Sequence, residues 1–229
     1  MIKEGWLALR GHFITFEGGE GSGKSTHARS LAQRLESAGI EVVLTREPGG
    51  STGAEIIRHI LLSGIAKPLG AETEAILFAA ARDDHVRSTI LPALDAGHWV
   101  ICDRFIDSTR VYQGALGNVD QRLIRSLERV TVGSAYPELT FILDVPAEIG
   151  LARAKSRRGE DAADRFEAEL PEFHEKLRLA YKALAAEEPE RCVLIDGRAP
   201  REAVAEQIWS AVRERLHPGS IGITEATGS

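Results

Sequence analysis

Apolar positions along the chain fall into two alternating patterns, short continuous runs and longer stretches at helical spacing. Residues 12–17 (HFITFE) form a short run that breaks into glycines, and residues 24–38 then carry Ala28, Leu31, Ala32 and Leu35 at helical intervals. The pair predicts strand, loop, helix. Residues 41–45 (EVVLT) predict a second strand, ended by the turn formers Pro48, Gly49 and Gly50, with a helix over 53–62. A long helical region follows over 71–94. Residues 99–103 (WVICD) and 139–145 (LTFILDV) are unbroken apolar runs, as expected of strands buried on both faces of a parallel sheet, and 120–132 reads as helix between them. From Pro146 to Glu188 the chain reads as helical at both ends, interrupted by KSRRGEDAADR, whose Gly159 and dense charge predict a mobile surface loop. Residues 192–196 predict a fifth strand and 200–216 a last helix, before a small, polar segment, Pro218 to Ser229, that reads as a frayed tail. Strands alternating with helices predict an α/β doubly wound sheet, in which ligands collect beyond the carboxyl ends of the strands.

Composition narrows the picture. A length of 229 residues suits one α/β domain with insertions, and no break suggests two. With 43% hydrophobic and 27% charged residues the chain has the apolar content to fold on its own. The net charge of -6 and pI near 5.7 argue against a polynucleotide partner, which needs a broad basic face, but leave room for small anions at a local site. The N-terminal MIKEGWLALRG lacks a signal-like region, and no stretch approaches the ~18 apolar residues of a membrane span. Cys102 and Cys192 each sit in an apolar run and read as buried, reduced thiols. A cytosolic protein is the expectation.

The chemistry begins at Gly18-Gly19-Glu20-Gly21-Ser22-Gly23-Lys24-Ser25, continued by Thr26, which fits GxxxxGK[ST] between a predicted strand and a predicted helix. That context makes the chain a P-loop NTPase by expectation. Glycines let successive N–H groups turn toward phosphate oxygens, and the helix N-terminus adds partial positive charge. Lys24 would reach the β and γ phosphates of ATP, and the Ser25 hydroxyl would ligate Mg2+. A second acid for the metal ends one of two strands: Asp103 after WVIC or Asp144 after FIL. Asp103 is preferred because Arg104 follows it at once; Asp144, before Pro146, reads equally as a helix cap. Phe78 and Arg82 are four apart on a predicted helix and share a face that suits a flat base. Arg46 and Arg104 end strands and point toward the crevice where an acceptor phosphate would sit.

Five motifs in order, FEGGEGSGKST (16–26), TREPGG (45–50), ILFAAARDDH (76–85), DRFIDSTRVYQG (103–114) and RAKSRRGEDAADRFE (153–167), carry a resemblance to thymidylate kinases from His12 to about Leu216. The resemblance implies strand order 2-3-1-4-5, transfer from ATP to dTMP, a mobile lid over about 153–167, and a homodimer. It implies that Arg82 meets the thymine O4, that Thr109 and Tyr112 read N3 and crowd the 2′ position with Gln113 nearby, and that Glu20 accepts from the 3′ hydroxyl. Arg46 and Arg104 would contact the monophosphate. Arg153, Arg157 and Arg158 resemble lid cations of the bacterial form, with the choice between Arg157 and Arg158 open, and LIDGRAP (194–200) resembles the loop that touches adenine. The matched core is 12–216, with the tail at 217–229 expected to be flexible. Two rivals stay open. Another nucleotide or nucleoside kinase of this fold would lack the joint set Phe78, Arg82, Thr109 and Tyr112. A non-enzymatic nucleotide switch would have no use for Arg46, and no NKxD guanine reader is present.

Overall fold

Six consecutive buried residues, Phe13–Gly18 (β1), form the centre of a five-stranded parallel sheet. Layers cover both faces of the strand, which is why the run shows no polar alternation. The other strands are β2 (Val42–Arg46), β3 (Trp99–Asp103), β4 (Leu139–Asp144) and β5 (Cys192–Asp196), in the order β2-β3-β1-β4-β5 that the resemblance implied. The edge strands are less buried, with Leu44 on β2 and Leu194 on β5 both half-exposed. The computed structural model describes residues 10–158 and 165–218.

The α-helices among the described residues are α1 (Lys24–Ser37), α2 (Thr52–Leu62), α3 (Gly70–His85), α4 (Leu91–Asp95), α5 (Ile106–Thr109), α6 (Gln121–Thr131), α7 (Ala147–Arg158), α8 (Pro171–Glu187) and α9 (Arg201–Leu216). The two-residue period of β1 divides the core between its faces. Ile14 and Phe16 pack with Leu31 and Leu35 of α1 and with Ile208 and Val212 of α9, while Phe13 joins Val86, Ile90 and Phe105.

The structure departs from the sequence pattern in three places. The region 71–94 is interrupted by a π-helical turn at Val86–Ile90, one residue wider than an α turn. It lies directly before Pro92, which lacks the N–H that would continue the ladder. Residues 106–116, where no element was predicted, form α5 and a second π-helical stretch at Arg110–Leu116, too short and too interrupted by Gly114 to show a helical repeat. Finally, α7 runs through Arg158, so the first four residues of KSRRGEDAADR are helical and not loop; residues 159–164 and 219–229 lie outside the described residues. Cys102 and Cys192 are buried and unpaired as expected.

Leu35 has no exposed surface at the α1–sheet junction. Leu35→Ala should lower unfolding free energy by about 2–5 kcal/mol without changing the urea m-value. A loss under about 1 kcal/mol would show that this layer does not carry the core.

Candidate active site

The turn after β1 has Gly18, Gly21 and Gly23 at φ 131°, 64° and 101°. Gly21 illustrates the need: a Cβ there would lie 1.9 Å from the Gly150 carbonyl oxygen. The loop delivers Lys24 to the first turn of α1, where its ammonium donates to the Gly18 and Gly19 carbonyls at 3.1 and 2.7 Å. One residue on, the Ser25 hydroxyl donates to Asp103 Oδ2. Sheet register explains the meeting, because Asp103 of β3 pairs with Phe16 of β1 on one side and Arg46 of β2 on the other. The other candidate acid, Asp144, is held in a two-point pair by Arg178 of α8 at 2.5 and 3.1 Å, with the Lys182 ammonium at 3.7 Å.

Arg104 adopts a left-handed φ of 69°, uncommon outside glycine. The turn sends its side chain into the crevice, where it donates to Glu20 Oε1 at 2.5 Å. The same oxygen accepts from the Tyr112 hydroxyl at 3.1 Å. Arg46, more exposed, pairs with Glu55 of α2 at 2.9 Å.

Beyond these groups opens a cavity of about 350 Å³, lined at one end by Lys24, Ser25 and Asp103 and at the other by Phe78, Arg82, Thr109 and Gln113. Arg82 is no solvated helix charge; it is 2% exposed. Its Nε donates to Glu47 at 2.9 Å, and its Nη2 to the Phe105 carbonyl at 3.2 Å and the Thr109 hydroxyl at 3.0 Å. His85 Nδ1 lies 3.1 Å from the second oxygen of Glu47. Thus a buried acid fixes the guanidinium, and the flat cation borders the cavity beside the Phe78 ring.

The expected lid residues separate. Arg153 donates to the Gly197 carbonyl at 3.0 Å, on the LIDGR loop and away from the cavity lining. Arg157 lines the cavity and pairs with Glu167 at 3.3 Å. The side chain of Arg158 lies outside the described residues. Several lining residues escaped sequence reasoning. Phe166, inside the quoted RAKSRRGEDAADRFE block, sits with its ring centroid 6.3 Å from Phe78 and 5.2 Å from Tyr112. Arg29 of α1 and Arg58 of α2 also border the cavity, but each is one charge among many on an amphipathic helix and carries no local signal.

Comparison with known proteins decides the family. A model described as thymidylate kinase matches residues 16–208. A thymidylate kinase of Bradyrhizobium sp. (strain ORS 278) is 62% identical over 207 residues, covering 90% of this chain and 92% of the relative. The chain belongs to the thymidylate kinase family. A further member, from Rhodopseudomonas palustris (strain TIE-1), is 59% identical over 221 residues and covers 96% of each chain. The crystal structure of thymidylate kinase from Ehrlichia chaffeensis aligns with a TM-score of 0.70 at 34% identity, over 89% of this chain and 99% of that one. Like the thymidylate kinase family as a whole, the chain is an ATP-dependent phosphotransferase.

Charge in this thymidylate kinase site is arranged for polyanions. Burial, and then repulsion from Arg104, push the Lys24 ammonium down to about 8, against the pull of Glu20 and Asp103. An arriving phosphate reverses that shift by supplying opposite charge. Burial disfavours ionised Glu20, but Arg104, Lys24 and the Tyr112 hydroxyl outweigh it and hold the carboxyl at about 2. A carboxyl depressed on folding contributes stability above its ordinary value of 4.5, and that contribution is lost as pH falls through about 2. The stability gap between the wild type and Glu20→Gln should therefore be about 3 kcal/mol larger at neutral pH than at pH ~2. Urea unfolding at the two pH values checks this, and a gap independent of pH would contradict it.

Proposed function

We propose that the chain transfers the γ-phosphoryl group of ATP to dTMP, giving ADP and dTDP, as one kinase domain with Mg2+ at the donor phosphates. The observation that carries this reading is the single cavity joining the P-loop lysine to a base-sized end with Arg82, Thr109 and two phenylalanine rings. Gly18, Gly19, Gly21, Ser22, Gly23 and Thr26 belong to the triphosphate cradle. Phe78 and Phe166 flank the thymine, and Arg82 donates to O4 from a guanidinium fixed by Glu47. Thr109 and Gln113 face the remaining pyrimidine edge, while Tyr112 and an ionised Glu20 border the sugar.

The acceptor phosphate has a second pKa near 6, so its oxygen is mostly ionised at neutral pH and requires no strong base. Catalysis then rests on placement and charge. Lys24 holds the β and γ oxygens, and Arg46 and Arg104 hold the acceptor phosphate from two neighbouring strand ends. Arg157, with Arg158 as its alternative, supplies lid charge to the transferring group, while Arg153 serves the adenine-side loop it already contacts. The donor set fits Mg2+: a hydroxyl and a carboxylate, Ser25 and Asp103, are in contact, and this ion takes one or two protein oxygens with water and phosphate filling the rest. When bound, the ion offsets charge on the phosphate oxygens. Asp144, engaged by Arg178, is the weaker candidate. A cytosolic homodimer completes the reading, the form the family resemblance implies; unpaired buried cysteines accord with a reducing compartment.

An ADP-release assay against a panel of monophosphates tests the substrate: dTMP is expected to be preferred, and preference for AMP, CMP or GMP would overturn the assignment. Lys24→Ala should reduce kcat by about 10²–10³ while leaving the melting temperature nearly unchanged. An undiminished rate in the folded variant would remove Lys24 from the mechanism. Tyr112→Ala should cut the preference for dTMP over its ribonucleotide counterpart by about tenfold. Unaltered discrimination would return Tyr112 to a packing role.

A further inference from the structure

Directly behind Arg104 lies a charged group that the proposed mechanism does not use. Glu17, the next-to-last residue of β1, is fully buried. Its Oε1 accepts from the backbone N–H groups of Phe105 and Ser108 at 2.8 and 3.1 Å. Its Oε2 accepts from the Ser108 hydroxyl at 2.7 Å and the Tyr181 hydroxyl of α8 at 2.9 Å. Both hydroxyl oxygens in turn face Arg104 Nη1, at 3.3 and 3.5 Å, and Nη1 also donates to the Gly18 carbonyl at 3.3 Å.

The geometry points to Glu17, through the Ser108 and Tyr181 hydroxyls, as a positioning residue that aims Arg104 at the acceptor phosphate. This rests on the reading of Arg104 given above. Each hydroxyl has one hydrogen and spends it on the carboxylate, which leaves oxygen lone pairs for the guanidinium. A protonated carboxyl changes the arrangement: Oε2–H donates to one hydroxyl, whose own hydrogen turns to the other hydroxyl 3.0 Å away or toward Arg104, so the two oxygens are no longer held facing Nη1. Glu17 also fixes the backbone after the turn, since Phe105 N donates to it, while Arg104 N donates to the Phe16 carbonyl of the same strand at 2.9 Å. The left-handed residue is thus held at its own N–H and at the N–H that follows it, and α8, which follows the lid segment, is tied to Glu17 by Tyr181.

Other charged and titratable groups surround Glu17. Asp107 of α5 is engaged by Arg191 at 2.7 and 2.9 Å and still repels the Glu17 carboxylate. Tyr112, Lys24 of α1 and Cys102 of β3 lie within electrostatic range of Glu17, whereas Tyr181 touches it directly. Burial, then Asp107, push the Glu17 carboxyl up to about 7, with Arg104, the Ser108 hydroxyl and Phe105 N–H working against them. As pH falls through that value Glu17 takes up a proton and the two hydroxyls are no longer oriented to accept from Arg104 Nη1, which keeps the Gly18 carbonyl, while Nη2 keeps Glu20.

Steady-state kinetics on the full chain test the role. Glu17→Gln, an isostere that donates where the carboxylate accepts, should raise KM for dTMP about tenfold, as for loss of one hydrogen bond to a charged group. KM for ATP should stay within about twofold. The fall in kcat/KM for dTMP near pH ~7 should vanish, leaving only the step of the substrate phosphate near 6. In an Arg104→Ala background the same substitution should add less than about twofold. Equal rises in both KM values, an unchanged pH profile or full additivity would overturn the inference. If Arg104→Ala alone leaves KM for dTMP unchanged, the Arg104 assignment itself fails and takes the inference with it. If Arg104→Ala raises KM and Glu17→Gln does not, only the inference fails. Should Glu17→Gln not fold, Tyr181→Phe keeps the buried ring and should raise KM for dTMP about threefold; no change there would equally overturn the role.

Discussion

Parallel register across β2, β3 and β1 is the constraint on which the site depends. Arg46 pairs with Asp103, and Asp103 with Phe16, so three segments far apart in the chain end at one level. Chain continuation from those ends supplies the P-loop, the Asp103–Arg104 turn and the TREPGG turn to a single crevice. A slip of one residue in β3 would carry Asp103 away from Ser25 and turn Arg104 out of the cavity, because successive strand residues face opposite ways. The buried aromatic and aliphatic layers on both sheet faces therefore serve the site by fixing that register.

The second organising fact is that the cations are pre-paired. Arg104 rests on Glu20, Arg82 on Glu47 and Arg46 on Glu55, while Lys24 is folded onto two carbonyls of its own loop. An arrangement of this kind holds flexible positive side chains in place before any ligand arrives, so that less ordering cost falls on the binding step. It also divides the cations by environment. Arg82 is sealed at 2% exposure, whereas Arg46 and Arg157 are exposed.

Much of this was legible from local sequence. A P-loop is a strand end, glycines and a helix start within a dozen residues, and buried parallel strands announce themselves as unbroken apolar runs. What stayed hidden depended on distant partners. Asp103 and Asp144 both end apolar strands and look alike until Arg178 arrives from α8 to occupy Asp144. Glu17 reads as one more letter of FEGGEG; its burial and its contacts depend on Ser108 and Tyr181, 91 and 164 positions away. The π-helical turn at Val86–Ile90 does not break the helical period in sequence and shows only in the nearby Pro92 with its missing N–H, and Arg110–Leu116 carries no such mark. Arg153 shows the converse, a charge grouped with its neighbours in an arginine-rich block whose guanidinium donates to Gly197, off the cavity lining.

The account's central claim is that triphosphate and thymine ends are two halves of one crevice. A crystal structure of the chain with dTMP and a non-hydrolysable ATP analogue tests it most directly. The prediction is that the pyrimidine lies between the Phe78 ring and Arg82, the monophosphate within hydrogen-bond distance of Arg46 and Arg104, and the triphosphate against Lys24. A pyrimidine bound elsewhere, or a P-loop left empty at saturating nucleotide, would contradict it.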